Sequence, residues 1–125
     1  GYLVGCEGRI TSRHPNWTVF RKSSLQPDAR PLRLIARAIT PPRRVRRFDA
    51  WFFHADADEA VAGIVKRESD ELTDVRWVTR EEAEALPLPH VTRFVLGELD
   101  RRLQQPASRP RHIRELARRM QIDPL

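Results

Sequence analysis

"RLIARAITPPRRVRRFDAWFFHADAD", residues 33–58, contains the clearest structural pattern in the chain. Two apolar segments, in which successive side chains would point to opposite faces of a sheet, flank a turn rich in proline and arginine. This pattern predicts a β-hairpin. Pro41 and Pro42 have no backbone N–H to donate, so the first strand is predicted to end near Thr40.

A turn centred near Arg43 sets the predicted register of this hairpin. Arg37 then lies opposite Asp49, and Ile35 lies opposite Trp51, on one side of the sheet. A cross-strand pair of opposite charges contributes about 0.2–1 kcal/mol. A slip of one residue would reverse the facing of every side chain.

The periodicity elsewhere predicts a mixed α/β domain. Residues 72–79 resemble a strand that carries Val75 and Trp77, and Thr79 with Glu82 has the spacing of a capping box that begins a short helix. Earlier in the chain, Asn16 is predicted to cap a short helix that directs Trp17, Phe20 and Leu25 toward the core.

Two further helices are predicted in the C-terminal part. Residues 89–105 show a helical apolar stripe with charged residues mostly off it. After the linker "PASRPR", residues 112–122 are predicted to form a basic amphipathic helix, which either packs back on the domain or forms an arm for an acidic partner. The predicted stripe of the long helix consists of Val91, Phe94, Val95, Leu99 and Leu103.

Composition limits the class of protein. The chain has 125 residues and a formal net charge of +6 that comes almost wholly from arginine. Such a charge suits a phosphate-bearing partner, although a coding bias toward arginine on a solvated surface explains it equally well. No segment is apolar enough to span a membrane, and the single Cys6 fits a reducing compartment, so a cytoplasmic location is predicted.

Two clusters are candidates for chemistry. Glu68, Asp70 and Glu71 are oxygen donors that suit Mg²⁺ or Mn²⁺, or they belong to an ordinary solvated loop. The arginines of the hairpin are suited to phosphate groups, with Trp51 or Phe53 stacking on a base; alternatively, they only keep a protruding turn soluble. These arginines are Arg43, Arg44, Arg46 and Arg47.

Three phrases in this order resemble the Nudix hydrolase family. They are "FRKSSLQPDARPLR", "LRLIARAITPPRRVRRFDAWFFHADA" and "ELTDVRWVTREEAEALPLPHVTRFVLGELDRRL". The resemblance covers roughly residues 1–105 and leaves residues 106–125 as a linker and tail. The family signature GX5EX7REUXEEXGU, in which U is bulky and apolar, would end on Gly1 and Tyr2. Its glutamate-bearing part does not occur in these 125 residues.

The resemblance implies a Nudix-like α/β/α sandwich with a mixed sheet, incomplete at its N-terminus. It implies hydrolysis of a nucleoside diphosphate linked to another group, with Mg²⁺ or Mn²⁺ and the catalytic glutamates supplied from outside this chain. Glu68 and Glu71 are weak candidates for an additional acidic residue. A homodimer is also an expectation. The implied substrate-binding residues are Arg37, Arg47, Asp49, Trp51 and Phe53.

The alternative is a non-catalytic module that binds nucleotides or nucleic acid through the arginine-rich hairpin. Steep loss of affinity with rising salt would indicate nucleic acid, because each neutralised phosphate releases counterions. A purely structural role is a third reading.

Overall fold

The computed structural model describes residues 2–42, 45–60, 75–116 and 119–125. The chain divides into two compact units, here called the first unit (Gly1–Leu32 with Ala55–Trp77) and the second unit (Arg33–His54 with Val78–Leu125). Both units contain helices and strands. The predicted mixed α/β class is therefore confirmed. In the described part of the chain, no helix is long and apolar enough to cross a membrane.

The first unit is built on a two-stranded antiparallel sheet of β1 (Gly5–Glu7) and β2 (Leu25–Pro27). Between these strands lie a 3-10 helix (Pro15–Trp17) and α1 (Thr18–Lys22), and α2 (Ala57–Ala60) follows later in the chain. Leu25 is buried, as expected.

The predicted cap of the first helix is wrong. The side chain of His14, through Nδ1, accepts from the backbone N–H of Asn16 at 3.3 Å, so the histidine rather than the asparagine caps the 3-10 helix. Pro15 has a fixed φ suited to the first turn of a helix, which places the cap one residue before it. Trp17 and Phe20 come together, with ring centroids 6.1 Å apart, but Trp17 is exposed rather than directed into the core as predicted.

The second unit contains a four-stranded sheet in the order β4-β3-β5-β6. Neighbouring strands are antiparallel except β3 and β5, which are parallel. Two helices, α3 and α4, precede β5 in the chain, and α4 packs on β3. The strands are β3 (Arg33–Ile39), β4 (Asp49–His54), β5 (Arg111–Leu116) and β6 (Arg119–Pro124), and the helices are α3 (Arg80–Ala85) and α4 (His90–Gln104).

The hairpin of β3 and β4 forms as predicted, but its register differs. Arg37 lies opposite Trp51, and Ile39 lies opposite Asp49, a shift of two residues from the predicted pairing. Two hydrogen bonds between Thr40 and Phe48 close the loop, which moves its centre one residue toward the C-terminus. Because side chains alternate with a period of two, this shift leaves residues 36–39 on their predicted faces. A bulge between Leu34 and Ala36 places Leu34 opposite Phe53, and Ile35, predicted opposite Trp51, is buried at the bulge.

The predicted basic helix over residues 112–122 is wrong. Residues 111–116 and 119–124 form β5 and β6, which pair with each other in an antiparallel ladder. Ile113 of β5 lies beside Ala38 of β3 and is only 3 % exposed. The free edge of β3 offers a row of backbone partners, and pairing there outweighs the weak helical preference of the segment.

The described part of the predicted strand at residues 72–79 is also not a strand. Residues 75–79 are irregular, and both Trp77 and Val78 are exposed. β4 and β5 occupy both edges of β3, so no position beside β3 is left for this segment. Trp77 instead contacts Tyr2 within the first unit, with ring centroids 5.1 Å apart.

The two helices predicted before the linker are confirmed. Thr79 and Glu82 form the complete capping box at the start of α3: the Thr79 hydroxyl accepts from the Glu82 N–H, and the Glu82 carboxylate accepts from the Thr79 N–H at 2.7 Å. At the other end of α3, the guanidinium of Arg93 donates to the carbonyl oxygens of Glu84 and Leu86. This arginine therefore satisfies carbonyls that the helix leaves free.

The predicted stripe of α4 does not contain its most buried residue. Glu98, expected off the stripe, is only 2 % exposed, while Leu103 is exposed. The Glu98 carboxylate accepts from Arg101 one turn later, at 2.8 and 3.0 Å, and from Arg111 of β5, whose Nε lies 3.0 Å from Oε2. A buried charge is stable only when it is paired in this way.

The pairing also sets the acidity of this carboxyl group. Burial disfavours the ionised form of Glu98, but the hydrogen bonds from Arg111 and Arg101 outweigh it, and the pKa lies below its ordinary value. The carboxylate therefore stays ionised at neutral pH. It ties α4 to β5 on the sheet face that α4 covers.

We predict that Glu98→Gln lowers the free energy of unfolding by about 2–3 kcal/mol, because it leaves two guanidinium groups without their carboxylate. Arg101 and Arg111 keep part of their contact with water, which limits the loss. Urea denaturation followed by circular dichroism measures the effect. The control is Glu84→Gln, which removes an exposed i,i+4 partner of Arg80 and should cost less than about 1 kcal/mol.

Acid unfolding provides a second readout of the same variant. A lowered folded-state pKa gives stability that is present above the unfolded-state value of about 4.3 and is lost as the pH falls through the folded-state pKa. Glu98→Gln should therefore lose less stability than the native chain over this range. Equal losses in the two proteins, or equal effects of Glu98→Gln and Glu84→Gln at neutral pH, would contradict this role of Glu98.

Candidate functional site

One face of the four-stranded sheet carries a line of four side chains, one from each strand. Trp51 lies opposite Arg37, Arg37 lies beside His112, and His112 lies opposite Asp123. Residues paired across a sheet share a face, so these side chains form a continuous line, here called the polar row. α4 covers the opposite face, where its Glu98 accepts a hydrogen bond from Arg111 of β5.

Arg37 is held in place by two neighbours. Its Nε and Nη2 donate to the two carboxylate oxygens of Asp49 at 2.7 and 2.6 Å, a bidentate pair. Its guanidinium carbon also lies 4.7 Å from the ring centroid of Trp51. Hydrogen bonds from Arg37 hold the pKa of Asp49 below its ordinary value, so the pair is charged at neutral pH. The planar guanidinium suits both contacts, unlike the ammonium group of lysine.

The bidentate pair leaves part of the guanidinium for a ligand. In the described contacts of Arg37, Nη1 takes no part in the bonds to Asp49. An arginine fixed on one side by a carboxylate has lost its rotational freedom before a ligand arrives. Such an arginine binds a phosphate oxygen at a lower entropic cost.

The other end of the polar row is a network around Asp123. His112 Nε2 lies 3.6 Å from its carboxylate, an ion pair when the imidazole is protonated. Arg114 Nη2 lies at 3.4 Å, and Gln121 donates at 3.0 Å. Among the described residues, neither His112 Nδ1 nor Arg114 Nε has a hydrogen-bond partner, although both atoms are buried. These nitrogens are buried polar atoms whose hydrogen-bonding capacity is unused among the described residues.

Aromatic rings are exposed beside Arg37. Trp51 is 49 % exposed and Phe53, two residues later on the same face of β4, is 51 % exposed. Phe48, just before β4, is exposed as well, but it lies on the opposite face of the sheet. Exposed aromatic rings next to a fixed cation form a surface on which a base stacks while a phosphate is bound.

The structure brings together three of the five predicted substrate-binding residues, Arg37, Asp49 and Trp51. The predicted Arg37–Asp49 ion pair is confirmed, although it is diagonal rather than directly across the strands. Phe53 shares their face of β4, and Arg47 lies exposed in the segment before β4.

Several predicted residues fall outside the described part of the chain. These are Gly1, Arg43, Arg44, Glu68, Asp70 and Glu71. Tyr2, the other residue at the predicted end of the family signature, contacts Trp77. Within residues 2–42, 45–60, 75–116 and 119–125, no three His, Cys, Asp or Glu side chains are placed to hold a metal ion.

The sequence analysis did not identify His112, Arg114 and Asp123 as residues of the candidate site. All three lie on β5 and β6; His112 and Arg114 fall within the predicted helix over residues 112–122, and Asp123 directly follows it. The alternation in "RHIREL" was the available signal, because it places His112 and Arg114 on one face of a strand and Ile113 on the other. Only the parallel pairing with β3 brings His112 beside Arg37.

Comparison of this chain with protein-family models, with curated proteins and with solved structures finds no match.

We predict that reversing both charges of the Arg37–Asp49 pair restores most of the thermal stability that either single reversal removes. Arg37→Asp and Asp49→Arg should each lower the melting temperature, because each places like charges on neighbouring strands. The double variant should recover most of the loss, which differential scanning calorimetry measures. Asp49→Arg combined with Arg109→Asp, a reversal at an exposed residue between α4 and β5, is the control and should show no recovery. Additive losses in the first double variant would show that the two side chains do not interact.

Proposed function

We propose that this chain binds a nucleoside diphosphate linked to another group, as the substrate-binding part of a Nudix-type pyrophosphohydrolase. The observation that carries the proposal is the bidentate Arg37–Asp49 pair beside the half-exposed Trp51 ring. The Arg37 guanidinium would bind a phosphate oxygen, and Trp51 or Phe53 would stack on the base. Asp49 would orient Arg37.

The polar row extends this surface along the sheet. His112 lies beside Arg37 and has a buried ring nitrogen with no partner in the described part of the chain. A diphosphate is long enough to need more than one donor group. We therefore assign His112 and Arg114 to the second phosphate or to the group attached to it.

The Nudix part of the proposal is supported by the order of the three resembling phrases. The finer fold it implies is an α/β/α sandwich, of which the second unit would supply the mixed sheet and α4 as one covering layer. The described residues do not provide a ligand set for Mg²⁺ or Mn²⁺. In this proposal the metal and the glutamates that activate water come from outside those residues, and the function of this chain is to bind and orient the substrate.

A second candidate, nucleic-acid binding, is favoured by a different observation. Two cations and three aromatic rings are exposed within one short segment: Arg46, Arg47, Phe48, Trp51 and Phe53. Single-stranded nucleic acid binds to surfaces of this kind. Its affinity would fall steeply with salt, whereas a single nucleotide neutralises few charges and shows a shallow dependence.

Titration with ADP-ribose by isothermal calorimetry tests the first candidate. We expect saturable binding that Arg37→Ala weakens about tenfold and Trp51→Ala weakens by a similar factor, because one removes a charge-assisted contact and the other a stacking surface. Arg109→Ala removes an exposed arginine away from the polar row and should change the affinity less than about twofold.

The two candidates give different outcomes in the same experiment. A series of nucleoside diphosphate sugars that vary the base and the sugar tests the substrate class, and a short single-stranded oligonucleotide tests nucleic acid. Binding of the oligonucleotide alone, with a steep salt dependence, would replace the first candidate by the second. Equal affinities of the native chain, Arg37→Ala and Trp51→Ala for every nucleotide would contradict the proposed site.

A further inference from the structure

An apolar cavity of about 450 Å³ lies on the face of the sheet opposite the polar row. It is enclosed by residues of β3, β4, β5 and β6 and by the first turn of α4. This volume is within the range of small-molecule binding sites. The lining residues are Ala38, Ile39, Thr40, Pro41, Phe48, Ala50, His90, Val91, Ile113, Arg114 and Met120.

The cavity exists because the residues at its centre are small. Ala38 of β3 and Ala50 of β4 lie directly opposite each other, and Ile113 of β5 lies on the other side of Ala38. Two alanines side by side leave space that larger β-branched residues would fill. Ala38 and Ile113 are buried, while Phe48 and Met120 are substantially exposed, so the cavity runs from a closed centre to an open edge.

The polar groups around the cavity specify a charge. The Thr40 hydroxyl accepts from the Phe48 N–H and is already used by the protein. Among the described lining residues none is acidic, and the titratable ones are His90 and Arg114. The Arg114 side chain points to the face of the polar row, where it contacts Asp123, so His90 is the basic side chain on the cavity face. His90 is also the first residue of α4, whose N-cap Pro89 provides no capping side chain and whose first turn has no acidic residue. The N-terminal end of a helix carries a partial positive charge, which favours an anionic group beside His90.

We propose that this cavity binds a small organic acid with an apolar body, aromatic or branched aliphatic, and one anionic group. The apolar body occupies the space between Ala38, Ala50 and Ile113. The anionic group lies toward His90 and the start of α4. The site is separate from the polar row and does not depend on nucleotide binding.

Anilinonaphthalene sulfonate is a suitable probe, because it has an apolar aromatic body and one anion and becomes fluorescent in apolar surroundings. We expect saturable binding at one site of the native chain. Ala50→Phe fills the cavity and should weaken binding at least about tenfold. Ala107→Phe, the same substitution at an exposed turn residue, is the matched control and should have no effect. Val91→Phe fills the cavity from α4 and repeats the test if Ala50→Phe fails to fold.

The charge requirement is tested with phenylnaphthylamine, which has the same aromatic body without the sulfonate. We expect it to bind at least about fivefold more weakly than the sulfonate. His90→Glu places an acid at the cavity and should weaken binding of the sulfonate but not of the uncharged probe, whereas His90→Gln should weaken the sulfonate less. Absence of binding, unchanged binding by both cavity-filling variants, or equal affinity for the two probes would overturn the proposal.

Discussion

Strand β3 has hydrogen-bonded partners on both edges, and every other feature of the second unit depends on this arrangement. β4 pairs with one edge in an antiparallel ladder, and β5 pairs with the other in a parallel one. Ala36 and Ala38 are buried on one face of β3, while Arg37 between them points to the other. The same strand thus separates an apolar cavity under α4 from the polar row on the opposite face. Without β5, neither His112 nor Ile113 would reach its position.

A buried charge holds this arrangement together on the side of the helix. Glu98 is paired with Arg101 on its own helix and with Arg111 at the start of β5. An apolar residue at position 98 could pack on the sheet in many orientations of α4. A buried carboxylate is stable only in the orientation in which its guanidinium partners can donate to it. The ion pair therefore specifies how α4 lies on the sheet, and it fixes the first turn of α4 above the cavity.

Local signals in the sequence predicted much of this structure. Pro41 and Pro42 placed the end of β3, the capping box placed α3, and alternation placed Arg37 and Asp49 on one face. The strands β5 and β6 were missed because "HIRELARRMQI" satisfies a helical period as well as an alternating one, and a distant strand decides between them. The hairpin register was missed by two residues because the bonds between Thr40 and Phe48 set the loop. No local pattern predicted that His112, Arg114 and Asp123 belong to the candidate site. The Nudix resemblance stays a prediction.

The parallel pairing of β3 and β5 is the central claim, and nuclear Overhauser effects measured on the isotope-labelled chain test it most directly. The account predicts contacts between the Ala38 methyl group and the Ile113 side chain, together with strong sequential Hα–HN effects along residues 111–116. Effects between Hα and HN three residues apart in this segment, with no contact between Ala38 and Ile113, would show a helix. They would remove His112 from the polar row and Ile113 from the cavity.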